Sequence, residues 1–311
     1  MPQATREIKR RIRSIKSTRQ ITKAMELVSA AKMRKAVANV LSTRTYAELG
    51  WQLLVELTSR TKDSKHPLLK KTDQTKKIGL VVVTSNRGLC GGFNHQLTNK
   101  VHQYLATHKK QSVDLEADLI AVGKRGRDIM FRRGHTIVAE FVKDDVTTRL
   151  EEITPIAQMI ISDYLSGKYD KIVMAYTDFI SPISQKPRLK QLLPIEIDSS
   201  DAYLGQAKAE GVKQPGSVKE KSVFEYEYLF EPSPDQVLNQ LMPRLLEVQL
   251  YQALLESDAS EHSARMMAMR NASDAAKDMI DDLTLAFNQA RQAAITAELA
   301  DITGGRVAIA G

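Results

Sequence analysis

Four sets of residues in this 311-residue chain have types and spacings that could do chemistry. The first, Thr84-Ser85-Asn86-Arg87-Gly88-Leu89-Cys90-Gly91-Gly92, is glycine-rich and lies between an apolar run and a helical stretch, where phosphate-binding loops sit. It has neither the G-x-x-x-x-G-K-[ST] pattern nor the G-x-G-x-x-G spacing. Two readings therefore stand side by side: a phosphate site, or a tight surface turn that another subunit touches, with the glycines supplying backbone freedom. The second is Cys90, the only cysteine. A thiol nucleophile needs a base and an acid to orient it, and the nearest histidine, His95, has no such acid beside it in sequence. A lone cysteine forms no internal disulfide, which points to a reducing compartment and removes a structural zinc site. The third, His262, falls on the apolar seam of a long helix, where a satisfied, partly buried imidazole competes with a metal ligand. The fourth is a basic start: eleven Lys or Arg against two acids in residues 1–35. Phosphates in a DNA groove, a transit signal, or a solvated rod surface meeting acidic loops of partner proteins would each use such a face. In a basic zipper the cationic region runs straight into its own heptads, and here the strict seam begins more than 200 residues later.

That seam is the strongest positional signal. From Leu241 to Ala297 a four-three spacing runs unbroken through Leu245, Val248, Gln252, Leu255, Ala259, His262, Met266, Met269, Ser273, Ala276, Ile280, Leu283, Phe287, Ala290 and Ala294. No Gly or Pro lies between Arg244 and Thr303, so the pattern predicts a coiled-coil helix of about 100 Å at 1.5 Å per residue. Ser233-Pro234-Asp235-Gln236 is its capping start and Gly304-Gly305 its expected stop; Pro243 is expected to kink or break it near its base. Gln252 and Ser273 are polar seam positions that would fix register or allow close approach. Residues 3–58 predict a second long helix with apolar groups Ile8, Ile12, Ile15; Ile21, Met25, Val28; Met33, Val37, Val40; Leu49, Leu53, Leu57. Its uneven steps predict a stripe that drifts around the helix.

Between the helices the texture changes. Residues 78–84, 117–122, 135–142 and 171–176 read as strands, with helices at 93–108, 124–133 and 150–165 and a Pro-bearing edge strand at 185–197. Strand-helix alternation of this kind predicts a largely parallel, Rossmann-like α/β domain. The expected organisation is an N-terminal coiled-coil helix at 1–60, a linker and central α/β domain at 61–232 carrying an insertion at 199–221, and a C-terminal coiled-coil helix at 233–311. The two long helices then meet as an antiparallel pair. The basic start is set beside the acidic stretch from Asp274 to Asp282, where charge selects orientation and seam burial holds the helices together. No apolar run approaches the roughly 18 residues that cross a bilayer, so membrane attachment is expected only through partners.

Ile21-Thr22-Lys23-Ala24-Met25-Glu26-Leu27-Val28 with Lys32-Met33-Arg34, Arg87-Gly88-Leu89-Cys90-Gly91-Gly92, and Ala290-Arg291-Gln292-Ala293-Ala294-Ile295-Thr296-Ala297-Glu298-Leu299 resemble, in this order and over nearly the whole chain, the gamma subunit of F-type ATP synthases. The resemblance implies the central rotor shaft of a bacterial, proton-translocating enzyme, with no catalytic, cofactor-binding or metal-binding residue of its own. It implies three alpha and three beta subunits, an epsilon subunit and the c-ring as partners, no nucleic acid, and a peripheral place on the cytoplasmic side of the cell membrane. Carried over by motif, Arg291, Gln292, Thr296 and Glu298 resemble contacts to the beta subunits, as do Lys23, Met25, Lys32, Arg34, Lys35 and Arg265. The turn of Arg87, Gly88, Cys90, Gly91 and Gly92 is implied to face epsilon or beta, and residues 222–231 the c-ring. The ending Gly304-Gly305 and the length of 199–221 depart from the familiar bacterial pattern. A basic coiled-coil scaffold or nucleic-acid-binding protein is the alternative, and an α/β nucleotide-binding enzyme a third.

Overall fold

The computed structural model describes residues 3–60, 66–70, 75–111, 115–146, 149–195, 231 and 233–310. The expected insertion at 199–221, part of the linker at 62–77, and the 222–231 segment apart from Glu231 lie outside these described residues. The elements are α1 (Gln3–Arg60), β1 (Lys77–Val83), α2 (Phe93–Gln111), β2 (Glu116–Val122), α3 (Lys124–Arg132), β3 (Ile137–Phe141), α4 (Thr154–Leu165), β4 (Lys171–Phe179), β5 (Gln185–Leu193) and α5 (Pro234–Ala310). The chain divides into two compact units, Met1–Ser29 with Arg265–Gly311, and Ala30–Ala264.

The larger unit is built on a five-stranded sheet in the order β3-β2-β1-β4-β5. β1 pairs in parallel with β2 and β4, β2 with β3, and β5 runs antiparallel at the edge. β1 reads as a continuous apolar run because both sheet faces are covered. Ile78, Leu80 and Val82 point to one face, packed with Leu97, Val101 and Leu105 of α2. Val81 and Val83 point to the other, packed with Ile156 and Ile160 of α4 and with Leu246, Leu250 and Leu254 of α5. Proline explains two details. Pro187 is tolerated on edge strand β5. Pro155 opens α4 at its first turn, so the helix expected at 150–165 is a short 3-10 turn at Leu150–Glu152 followed by a separate α-helix.

In this unit α1 and α5 run in opposite directions. Thr43 Oγ1 donates to Gln252 Oε1 at 2.7 Å. One heptad on, a Cβ built on Gly50 would lie 2.6 Å from Leu245 Cδ2, so any larger residue would push that side chain aside. Gln252 thus performs the register role expected of it.

The smaller unit pairs the start of α1 with the end of α5. On α5 the buried positions are Met269, Ser273, Ala276 and Ile280, with Leu283 and Phe287 half-buried, which is the predicted seam. On α1 the prediction holds for Ile8, Ile12, Ile15 and Met25 but not for Ile21 and Val28. Ile21, Leu27 and Val28 are 58%, 61% and 55% exposed, while Thr22, Glu26 and Ser29 turn inward. The inward stripe of α1 does not drift: Ile8, Ile12, Ile15, Thr22, Glu26 and Ser29 here, and Met33, Ala36, Val40 and Thr43 in the larger unit, keep heptad spacing. Small or hydroxyl side chains hold four of these positions, Thr22, Ser29, Ala36 and Thr43, where they let helices approach closely, and a helical Thr satisfies its hydroxyl on its own backbone, as Thr22 does on Arg19 O at 3.1 Å.

Neither of the two sites expected to interrupt α5 ends the helix. Its start is the predicted cap, with Gln236 N donating to Ser233 Oγ at 3.4 Å. Pro243 does not break the helix: its missing N–H removes one bond, but Met242 and Leu246 beside it are fully buried and hold that turn in place. Gly304-Gly305 does not stop it either, since glycine costs only about 1 kcal/mol per residue in a helix and ends one only where the chain turns left-handed.

Gly123, between β2 and α3, has φ of 101°, and a Cβ there would sit 2.3 Å from Thr84 O. Gly123→Ala is therefore expected to destabilise the chain by about 3 kcal/mol, combining left-handed strain with a backbone collision. Urea unfolding followed by circular dichroism measures it, and a loss near zero would contradict the close packing of Thr84 on this turn.

Candidate subunit-contact sites

The strand order changes direction between β1 and β4, and in open α/β sheets the crevice at the carboxyl ends beside such a point takes ligands. The Gly-rich turn after β1 lies at that edge, but its polar groups are spent on one another. Asn94 Oδ1 accepts from Ser85 N at 3.0 Å, and Asn94 Nδ2 donates to Ser85 Oγ at 2.7 Å and to Cys90 Sγ at 3.2 Å. Ser85 Oγ donates to Arg87 O at 2.7 Å. Cys90 is buried inside this knot, which suits a structural thiol better than a nucleophile. Arg87, Leu89, Gly91 and Gly92 face outward, with Leu89 and Gly91 at φ of 63° and 57°. The turn is held rigidly from behind and presents its tip.

The crevice itself is filled by α5. From Glu256 to Ser263 the helix buries Glu256, Ser257, Asp258, Ser260, Glu261, His262 and Ser263. Lys143, in the loop after β3, forms ion pairs with Asp258 and, at 2.8 Å, with Glu261. Burial would strip its proton, but the two carboxylates outweigh that and hold its pKa above the ordinary lysine value. Asn86 Nδ2 fixes the same loop by donating to Lys143 O at 2.5 Å. His262 Nε2 donates to Asp145 O at 2.6 Å, and Lys32 of α1 pairs with the Asp145 carboxylate at 2.6 Å, which lowers the pKa of that acid. From the other side, Ser260 Oγ donates to Thr177 O at 3.1 Å and Ser263 Oγ to Pro182 O at 2.6 Å. Arg188 Nε lies 2.8 Å from Asp178 Oδ2. Glu256, buried beside Asp178, has its pKa pushed up to about 8 by desolvation first and by the Asp178 charge second, so this carboxyl holds its proton near neutral pH.

Sequence reading found His262 and Gln252 on the seam but missed Lys143, Asp145, Asp178, Arg188, Glu256, Asp258 and Glu261. One signal was present: Glu256 to His262 is a polar run in a helix whose neighbours are apolar. Its partners Lys143, Asp145 and Asp178, more than 70 residues away, carry no mark in the sequence.

The motif-derived contact residues divide between the units. In the smaller one, Arg291, Gln292, Thr296 and Glu298 are exposed on one side of α5 together with Ile295, Leu299 and Ile302. Lys23 is exposed on α1 and pairs with Glu26 at 2.9 Å, and Met25 is half-buried. Arg265 is only 8% exposed. In the larger unit Arg34 and Lys35 are exposed, whereas Lys32 is engaged by Asp145.

A sequence model of the ATP synthase family matches residues 4–309. The ATP synthase gamma chain of Herpetosiphon aurantiacus is 42% identical over 313 residues, covering 98% of this chain and 99% of its own length. That of Heliobacterium modesticaldum is also 42% identical, over 98% of both chains. Among solved structures, a chain from the central stalk and c-ring structure of Tetrahymena thermophila mitochondrial ATP synthase aligns with a TM-score of 0.58 at 26% identity, covering 81% of this chain and 99% of that one. A chain of the Euglena gracilis mitochondrial ATP synthase, with a TM-score of 0.62 at 19% identity and covering 98% and 94%, shares the fold. These matches do not favour the nucleic-acid or scaffold alternative.

The Glu256 pair makes stability depend on pH. Its folded pKa, about 8, lies above the ordinary 4.5, so its contribution is complete below that ordinary value and is lost as pH rises toward 8. Stability should fall across this window by up to about 1.4 kcal/mol per pH unit through this group. Glu256→Gln, which mimics the protonated acid, should flatten the slope in urea unfolding series run from pH 5 to 9; an unchanged slope would place the proton elsewhere.

Proposed function

The chain belongs to the ATP synthase gamma-chain family, the central stalk of the F-type enzyme, and from that premise we propose that it is a non-catalytic rotor coupling ion flow in the membrane sector to ATP synthesis or hydrolysis in a ring of other subunits. One observation carries the non-catalytic part. The crevice where a sheet of this topology would hold a nucleotide is occupied by the chain's own helix, from Glu256 to Ser263, and sealed by buried ion pairs. A group bound there would have to displace α5.

Residues 1–60 and 233–311 are the shaft, and 61–232 are the module that receives or delivers torque. Three alpha and three beta subunits surround the shaft, and epsilon and the c-ring take the module. Among the described residues no helix is long and apolar enough to cross a membrane, which fits attachment to the cytoplasmic face of the cell membrane through partners. The exposed band of Arg291, Gln292, Thr296 and Glu298 with Ile295 and Leu299, and the exposed Lys23, Ile21 and Val28, mix charge with apolar surface as protein interfaces do. Arg34, Lys35 and the tip of the Arg87–Gly92 turn are further contacts. Lys32 and Met25 contribute only in part, being tied to Asp145 and half-buried, and Arg265, 8% exposed, contributes least. Torque follows if the shaft face presented to each beta subunit changes with angle, because a contact shifts an equilibrium only by its differential energy between states.

Capture of the tagged chain in mild detergent should recover three copies each of two nucleotide-binding subunits per copy of this chain; recovery of the chain alone or with nucleic acid would overturn the reading. In the assembled complex, Arg291→Ala and Glu298→Ala should each lower ion pumping per ATP hydrolysed by about threefold or more without unfolding the helix, the range over which side chains tune coupling between sites. Unchanged coupling in both would remove these residues from the contact set.

A further inference from the structure

The buried polar grip on α5 has a geometry that holding the helix in place does not require. Below it, Leu246, Leu250, Leu254 and Leu255 already pack α5 into the core, and an apolar continuation would bind the helix at least as firmly, since desolvating ions offsets most of their attraction. Apolar surfaces, however, tolerate sliding and rotation, whereas an ion pair or a short hydrogen bond fails once its partners separate. At 100° per residue, Glu256, Ser260 and Ser263 lie on one side of α5 and Asp258, Glu261 and His262 on the opposite side. The first set meets β4, β5 and the turn between them, through Thr177, Asp178 with Arg188, and Pro182. The second meets the loop after β3, through Lys143 and Asp145. The helix is held from two sides by segments of the sheet's carboxyl edge.

Building on the stalk reading, we propose that this two-sided grip is the joint through which torque passes between α5 and the α/β module, with Lys143, Asp258 and Glu261 as its positioning residues. Turning α5 in either sense separates charges buried out of water, so the module follows the helix instead of slipping on it. The test uses the assembled ATP synthase, reading ATP hydrolysis, ATP-driven ion pumping and thermal stability on one preparation. Lys143→Met should keep hydrolysis by the ring but lower pumping per ATP by about threefold or more, as expected when a residue remote from both sites carries coupling. Lys143→Arg should restore the ratio, and so should the exchange of Lys143→Asp with Asp258→Lys relative to Lys143→Asp alone. Glu261→Gln, which keeps shape and removes one charge, gives the same readout if Lys143→Met does not assemble. An assembled Lys143→Met or Glu261→Gln complex that pumps normally overturns the proposal. Failure of the unsubstituted chain to join alpha and beta subunits would instead sink the stalk reading, and is seen before any variant is compared.

Discussion

Taking a charge out of water is tolerable only where an opposite charge meets it at close range, and this constraint decides how the larger unit is put together. Lys143 is buried between Asp258 and Glu261, and Asp178 between Arg188 and the protonated Glu256. Each group depends on the others being where they are. The loop after β3 must return to the carboxyl edge, the β4–β5 turn must fold toward α5, and α5 must hold one rotation and one height over the sheet. Asn86 extends the requirement back to the turn after β1 by holding Lys143 O, and Lys32 extends it to α1 through Asp145. Hydrophobic burial gives the unit its stability, while the ionic contacts choose one arrangement among the several that burial alone would allow.

The same division of labour separates the two faces of the coiled helices. Inward positions on α1 are small or hydroxyl-bearing at Thr22, Ser29, Ala36 and Thr43, so the helix backbones approach closely. Apolar side chains at Ile21, Leu27 and Val28 are thereby left outside. An exposed apolar patch on an otherwise solvated helix marks a surface that meets something else. On α5, Ile295, Leu299 and Ile302 stand outward beside Arg291 and Glu298 in the same way. Small residues face inward and large apolar ones outward, so close helix packing and exposed contact surface come from the same distribution.

The filled crevice connects fold to role. A doubly wound sheet presents its carboxyl edge to ligands, and here the edge is given over to a helix of the same chain. The glycines after β1, which in a nucleotide enzyme would open the backbone to phosphate, instead shape an outward tip whose base is closed by Asn94, Ser85 and Cys90. An edge that in other sheets of this topology meets a small molecule here meets a helix of its own chain.

Much of this was legible in the residues alone. The α5 seam, the capping start at Ser233, the four parallel strands and the Pro-marked edge strand each rest on a local period or a backbone restriction that a short window contains. So does the burial of His262, since a seam position is a seam position whatever packs on it. The inward face of α1 was not legible, because Thr and Ser can sit inside or outside according to how near the neighbouring helix comes, and only the pairing of Thr43 with Gln252 and Gly50 with Leu245 fixes that distance. Nor was the ionic grip, because a charge reads as solvent-facing until its partner is known. Lys143 and Asp258 stand 115 residues apart, and only the folded sheet brings them together. Sequence set the periods and the breaks; tertiary structure decided which polar groups could afford to leave water.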